Sequence, residues 1–261
     1  MDYFQAIILA IIEGITEYLP VSSTGHMIIA ESFMGLTSNN FTKLFTIAIQ
    51  IGALLAIVVL YFKKFFQSFS FYFKLLVGVI PALVLGFLLN DFIDGLLENP
   101  LIVAISLILG GVILLYVDKW FSSNTQQEIT YSKALKIGFY QCIAMIPGVS
   151  RSGASIVGGM AQGLTRATAT EFSFFLAIPT LTAATAKKLY DFYKMGFTLK
   201  QNEINLLLIG NLIAFIVALI AIKTFITFLN EKGFKWFGVY RILLGLVILI
   251  IHLTVMKLTI N

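Results

Sequence analysis

The chain has 261 residues, of which 59% are hydrophobic and 12% charged, with a mean hydropathy of +0.94. Soluble domains carry about 25% charged residues, so a water-soluble fold is excluded. The formal charge of +5 does not point to nucleic acid, because Lys and Arg lie scattered between apolar runs and form no basic stripe with interleaved aromatics; anionic lipid headgroups are the expected contact.

The first segment, from Met1-Asp2-Tyr3 to Glu13, lacks the basic start and small-residue cleavage site of a signal peptide and is expected to remain in the mature protein. It runs into a Pro/Gly/Ser knot, Tyr18-Leu-Pro-Val-Ser-Ser-Thr-Gly25. Three spans are predicted next, at Phe41 to Phe62, Phe71 to Leu89 and Leu101 to Val117, each near the ~20 residues that cross a hydrocarbon core. A single cysteine, Cys142, rules out internal disulfides and thiolate metal clusters. It precedes a second knot, Ile146-Pro-Gly-Val-Ser-Arg-Ser-Gly153. Three further spans are predicted at Thr165 to Ala186, Ile204 to Phe228 and Phe237 to Val255. Neither stretch flanking a knot can cross a bilayer alone.

The knots match each other. Val21-Ser-Ser-Thr-Gly25 aligns with Val149-Ser-Arg-Ser-Gly153 at an offset of 128 residues, and Leu107-Ile-Leu-Gly110 echoes Ile242-Leu-Leu-Gly245 at 135. The expected fold is an all-α integral membrane domain over 1–261, with repeats at about 1–120 and 130–261. Each repeat is one re-entrant helical hairpin plus three crossings, giving six transmembrane helices and two hairpins. An odd number of crossings per repeat makes the topology inverted, and broken helices are tolerated in a membrane where they line a buried polar cavity. Lys63, Lys64 and Lys74 place the first loop in the cytoplasm; Asp91, Asp94 and Glu98 place the second outside. The N-terminus and first hairpin then face outward, although Lys187, Lys188, Lys194 and Lys200 fall outside against the rule.

The knots hold the candidate chemistry. Glu13 and Glu17 are four apart and share a helical face. Two acids in apolar surroundings tend to share a proton or bind a cation, which suits a hard-metal site or an acid/base pair. Pro20 breaks the helix, and Ser22, Ser23 and Thr24 are suited to cap the next one, whose free N–H groups favour an anion. His26, three residues after Ser23, is expected to face the same point, where a hydroxyl beside an imidazole could act as nucleophile and base and His could itself accept a phosphoryl group. The plainer reading leaves the serines as caps and His26 bonded to a neighbouring carbonyl. Ser150, Arg151, Ser152 and Ser155 open the second half-helix. A guanidinium inside a membrane is costly without an anion, and its fork matches phosphate oxygens; a fixed salt bridge to Glu13 or Glu17 is the plainer alternative. Gln50, Glu171, Asn211, Lys223, Arg241 and His252 are read as satisfying each other, bonding backbone or lying near an interface, and the 24 Phe residues as packing and lipid contact. The inventory describes a phosphate site with hydrolytic equipment.

At these residues the sequence resembles the undecaprenyl-diphosphate phosphatase family, also called bacitracin-resistance proteins. The likeness covers Glu13-Gly-Ile-Thr-Glu-Tyr-Leu-Pro-Val-Ser-Ser-Thr-Gly-His26 and Pro147-Gly-Val-Ser-Arg-Ser-Gly-Ala-Ser155, and continues through Glu171-Phe-Ser-Phe-Phe and Ala221-Ile-Lys-Thr-Phe225. It implies hydrolysis of a C55 isoprenyl diphosphate to its monophosphate and inorganic phosphate. That reaction recycles the carrier lipid for cell-wall synthesis at the bacterial plasma membrane, and the loop charges above have the site opening to the external, periplasmic side. By the same resemblance Glu13 and Glu17 are the acidic pair tied to a divalent cation such as Mg²⁺ or Ca²⁺. Ser23 and His26 match the proposed nucleophile and its partner, and Arg151 the phosphate-binding arginine; attack by Ser23, by His26 itself or by an activated water stays open, and the half-helix starts offer Ser22, Thr24, Ser150, Ser152 and Ser155 as further phosphate contacts. Ser155 stands where the family usually has Thr. Acid-phosphatase-like lipid phosphatases need a second His after their Ser-Arg element, and none follows Arg151 in that half-helix. The expected partners are the isoprenyl diphosphate and membrane lipids, with no nucleic acid; oligomeric state, homo-oligomers included, is left open. A transporter or flippase of a lipid-linked phosphate is the rival reading.

Overall fold

The protein is described by a computed structural model covering residues 1–36, 39–66, 68–89, 93, 95–96 and 99–254. Ten α-helices make up its named elements: α1 Tyr3–Thr16, α2 Ser23–Phe33, α3 Asn40–Leu60, α4 Phe69–Leu88, α5 Pro100–Trp120, α6 Tyr131–Cys142, α7 Arg151–Ala161, α8 Arg166–Lys194, α9 Gln201–Lys232 and α10 Lys235–Thr254. Short 3₁₀ turns follow α3 at Phe62–Phe65 and α6 at Ile143–Met145. Helix starts are written in the sequence. Asp2 and Gln5 form a capping box on α1; Asn39 caps α3, and Asn99 with Pro100 at the first turn starts α5. Thr130 and Thr165 cap α6 and α8. Each supplies an oxygen to an N–H that has no partner inside the helix.

Five helices, α3, α4, α5, α9 and α10, are long and apolar enough to cross a membrane, and the chain is a multi-pass membrane protein. Their bounds follow the predicted spans closely, although Val255 lies outside the described residues, as do Asp91, Asp94 and Glu98, on which the loop-charge argument drew. The predicted sixth span differs. A helix is present there, but α8 runs 29 residues and carries Arg166, Glu171, Lys187, Lys188 and Asp191, so it does not reach the hydropathy of the other five. Its middle is core instead: Ala169, Phe172 and Phe174–Ala177 are all buried. With α1, α2, α6 and α7 at 14, 11, 12 and 11 residues, none of the four helices beside the knots reaches the ~20 residues of a crossing.

Between helices in lipid there is little hydrophobic drive, and close approach at small residues has to supply the packing. A Cβ on Gly111 would lie 2.8 Å from the Gly238 carbonyl, and one on Gly238 would lie 2.7 Å from that of Gly111, so α5 and α10 meet backbone to backbone. A Cβ on Gly52 would meet the Asn211 carbonyl at 2.1 Å, and the Asn211 side chain uses that proximity to accept from the Gly52 N–H at 2.8 Å. Asn211 therefore bonds backbone, one of the three roles the sequence left open for it. Glu171 pairs with Lys64.

Packing partners come in matching sets. Helix α1 packs on α2, α3 and α9, while α6 packs on α7 and α4; α3 packs on α8 and α9, while α4 packs on α8. The two short helices α2 and α7 are both 11 residues long and begin 128 positions apart, at Ser23 and Arg151. Helices α5 and α10, which form the largest helix pair, begin 135 apart, at Pro100 and Lys235. The knots meet in the middle of this arrangement.

Candidate active site

Each knot resolves into the same strained turn. Ser22 has φ +70° and ψ 95°, and its hydroxyl oxygen accepts the Gly25 N–H at 3.3 Å. Ser150 has φ +76° and ψ 117°, and its hydroxyl accepts the Gly153 N–H at 3.2 Å. They are the only residues other than glycine with positive φ among those described. Such a conformation costs on the order of 1–3 kcal/mol and persists where the surroundings over-determine it. Sterics at Gly148 are stricter: φ is +90°, and a Cβ would lie 2.5 Å from the Val103 carbonyl, so only glycine fits. With Gly25 and Gly153 capped, the first N–H groups of α2 and α7, at Ser23, Thr24, Arg151 and Ser152, have no partner inside their helices.

Both helix N-termini open on one cavity of about 120 Å³, whose walls include Glu17, Ser22, Ser23, Thr24, Gln50, Ser150 and Arg151. The Glu17 carboxylate is the centre of its hydrogen bonding. One oxygen accepts from Arg151 Nη2 at 2.8 Å and the other from the Ser23 hydroxyl at 2.8 Å. Arg151 is also fixed by its Nη1 on the Ser173 carbonyl at 3.0 Å and by its guanidinium 5.6 Å above the Tyr18 ring. Glu13, one turn earlier, is 1% exposed, has Glu17 and Arg151 as charged neighbours, and leaves Oε1 buried without a hydrogen-bond partner. An orphaned carboxylate oxygen beside a second carboxylate is a donor set that a hard divalent cation fits, since Mg²⁺ commonly takes one or two protein carboxylates and completes its shell with water and phosphate oxygens. Among the described residues no group of three or more acidic, His or Cys side chains is placed to hold a metal ion, so at this site the protein offers two carboxylates.

Behind the cavity lies Arg241, 1% exposed. Its guanidinium donates to five carbonyls: Pro20 at 3.1 Å in the first turn, Gly148 at 3.0 Å and Val149 at 2.9 Å in the second, and Ser106 and Leu107 at 3.2 and 3.4 Å on α5. The turns also touch directly, through the Ser152 hydroxyl on the Leu19 carbonyl at 2.8 Å.

With this geometry in hand, comparison with known proteins is informative. Residues 6–247 match the family described as Bacitracin resistance protein BacA. The chain is 66% identical to the undecaprenyl-diphosphatase of Flavobacterium johnsoniae over the full length of both chains. It is 51% identical to that of Bdellovibrio bacteriovorus, over 97% of each. The chain belongs to the BacA family.

Several site residues sit differently in this BacA member from what spacing alone suggests. His26 does not face Ser23: its Nδ1 is 2.8 Å from the Ser22 carbonyl and its Nε2 is 2.6 Å from the Tyr240 hydroxyl, while Ser23 is bonded to Glu17. A three-residue separation on a helix permits a shared target, but here the Ser22 carbonyl, which also accepts the His26 backbone N–H at 3.3 Å, captures the ring. Ser152 and Ser155 do not line the cavity either. Ser152 is spent on Leu19, and Ser155 on the Arg151 carbonyl at 2.9 Å and the Ser173 hydroxyl at 2.6 Å. The salt bridge that was the plainer alternative for Arg151 exists, to Glu17. Gln50 and Tyr240 were not visible as site residues. Gln50 lies mid-span in α3, and a polar amide inside an apolar crossing was the available signal; Tyr240 had none, being an aromatic among many.

Proposed function

We propose that the chain hydrolyses undecaprenyl diphosphate to undecaprenyl phosphate and inorganic phosphate, recycling the carrier lipid of cell-wall synthesis at the plasma membrane. The observation that carries this reading is the chain Ser23–Glu17–Arg151, a hydroxyl, a carboxylate and a guanidinium in direct contact where two helix N-termini meet. The names of the relatives supply the substrate; the geometry supplies the means.

In this mechanism the terminal phosphate enters the cavity against Arg151, whose planar fork suits two phosphate oxygens, and against the free N–H groups of α2 and α7. Arg151 then exchanges part of its contact with Glu17 for the phosphate. Glu17, released from a full ion pair, takes the Ser23 proton as the hydroxyl oxygen attacks phosphorus and the lipid monophosphate leaves; water then frees the phosphate from serine. Fixed donors aimed at a charge that develops in transfer are the main stabilising device available here. Glu13 and Glu17 would hold a divalent cation such as Mg²⁺ or Ca²⁺, which when bound neutralises phosphate charge. The isoprenyl tail stays outside the polar cavity, and an apolar groove of about 410 Å³ between α1, α9 and α10, walled by Ile15, Leu19, Val217 and Phe228, has room for part of it.

The repeated turn, the equal lengths of α2 and α7 and their constant offset support two inverted repeats, about 1–120 and 130–261. In that topology α8 is the sixth crossing, α1–α2 and α6–α7 are re-entrant hairpins, and the cavity opens outward. A transporter of a lipid-linked phosphate would share this architecture but needs no hydroxyl bonded to a carboxylate. The test is phosphate release from undecaprenyl diphosphate by purified protein, with and without chelator, beside Glu17→Ala. Release that is lost with Glu17→Ala is expected; no release from folded protein would leave the transporter.

A further inference from the structure

Helix α10 carries Tyr240 and Arg241 in succession, and they reach the two strained turns by different routes. Arg241 binds carbonyls of both turns itself. Tyr240 reaches only the first, through His26. A carbonyl oxygen can only accept, so the His26 Nδ1 that lies 2.8 Å from the Ser22 oxygen carries the ring hydrogen. In the neutral ring Nε2 is then the acceptor, and the Tyr240 hydroxyl 2.6 Å away donates to it. The rings lie nearly parallel and edge to edge, with centroids 5.6 Å apart and planes 7° from parallel, as an in-plane hydrogen bond requires.

Both ring nitrogens are thereby in use, and neither is directed at Ser23, whose hydroxyl is given to Glu17. What the imidazole grips is the Ser22 carbonyl, in the peptide that leads into Ser23. Ser22 is held at φ +70°, a conformation that relaxes unless something fixes it. The second turn lacks this device. Ala154 stands four residues after its capping serine, where His26 stands four after Ser22, and there Arg241 takes the Gly148 and Val149 carbonyls instead.

We infer that Tyr240 is a positioning residue for hydrolysis: acting through His26 on the Ser22 carbonyl, it sets the direction of the Ser23 hydroxyl and of the first N–H groups of α2. His26 in this arrangement orients the nucleophile's turn and does not take its proton. The inference rests on the hydrolytic reading above, and its test separates the two. Steady-state hydrolysis of undecaprenyl diphosphate by the full-length Tyr240→Phe protein is measured beside ¹⁵N NMR of the imidazoles. With two histidines in the chain, His252→Gln assigns the signals of His26. Tyr240→Phe is expected to keep the ring's place in the helix packing and the melting temperature and to lower kcat by about tenfold, the worth of one hydrogen bond. KM should stay within about twofold, because ground-state lipid binding is untouched. In the unsubstituted protein Nδ1 should be the protonated nitrogen of a neutral ring, and Tyr240→Phe should move the Nε2 resonance. An unchanged kcat, a neutral ring protonated at Nε2, or a loss of activity matched by a loss of melting temperature each overturns the proposal. Absence of phosphate release by the unsubstituted protein refutes the hydrolytic reading, while the NMR result still decides whether the relay exists.

Discussion

The two serine turns share a backbone and differ in almost everything attached to it. Each places a serine at positive φ, caps an 11-residue helix with that serine's hydroxyl and opens the helix N-terminus on the same cavity. Beyond the cap they diverge. The first residue of α2 is Ser23, bonded to Glu17; the first residue of α7 is Arg151, bonded to the same carboxylate from the other side. Glu17 precedes the first turn, whereas at the corresponding offset before the second stands Met145, an apolar wall of the cavity. Serines of the first turn face the cavity, while Ser152 and Ser155 of the second are consumed by structure. One scaffold thus presents a nucleophile candidate from one side and an anion clamp from the other. The helix N-terminus supplies a common preference for anions, and the first side chain of each helix decides what is done with them.

The sharpest way to break this comparison is at those two first residues. Arg151→Ala should lower kcat/KM for undecaprenyl diphosphate by on the order of 10³-fold, because it removes the clamp and leaves Glu17 buried with an uncompensated charge. Arg151→Lys should recover only part of this, since an ammonium keeps the charge but not the fork. Ser23→Ala should cost a similar factor in kcat and abolish any phosphoserine trapped by rapid quench. A trapped phosphoenzyme that survives Ser23→Ala would move the nucleophile away from this turn and undo the division of roles.

How much of this was legible beforehand follows from where each residue finds its partner. Glu13, Glu17, Ser23 and Arg151 could be read because their significance is local: acids, hydroxyls and a guanidinium have few reasons to stand in apolar sequence. The five apolar helices were legible for the same reason; a helix, α8, stands where a sixth span was expected, but its polar and charged residues keep it short of their hydropathy. His26 was legible as a site residue and misread in its direction, because the capture of its ring depends on Ser22's backbone and on Tyr240, 214 residues away. Arg241 bonds backbone, one of the three roles open to it in the sequence, but sequence had no means of telling that its five carbonyls would come from both turns and α5. Contacts that join distant segments are set by packing, and packing carries no local signature.

Smaller effects sharpen the comparison. A Cβ on Gly110 would lie 2.2 Å from Arg241 Nη2, so Gly110→Ala should displace the guanidinium that serves both turns. An overpacked site of this kind costs about 1–3 kcal/mol, and both the melting temperature and kcat should fall. Ser152→Ala tests a serine of the second turn. It removes the 2.8 Å bond to the Leu19 carbonyl, worth about 1 kcal/mol, and is expected to lower the melting temperature with little change in kcat. A loss of turnover like that of Ser23→Ala would mean that the second turn's serines are chemically equivalent to the first's.

The smallest expected effect probes the strain that the two turns share. At φ +70° and +76° a serine pays a steric cost that glycine does not, yet its hydroxyl caps the following helix. Replacing a capping serine by glycine costs only a few tenths of a kcal/mol, and the relief of a left-handed residue offsets that loss. Ser22→Gly and Ser150→Gly should therefore leave the melting temperature nearly unchanged. Activity should separate them. Ser22 has a second duty, since its carbonyl holds His26 and its peptide leads into Ser23; a glycine there frees the turn to swing, and kcat should fall by a few-fold, about what a loosened near-attack geometry costs. At Ser150 the carbonyls on either side of the turn's entry are held by Arg241 regardless of the side chain at that position, so Ser150→Gly should change kcat less. Equal losses at both sites would show that the cap alone matters and that the Tyr240–His26 relay contributes nothing the arginine does not already supply.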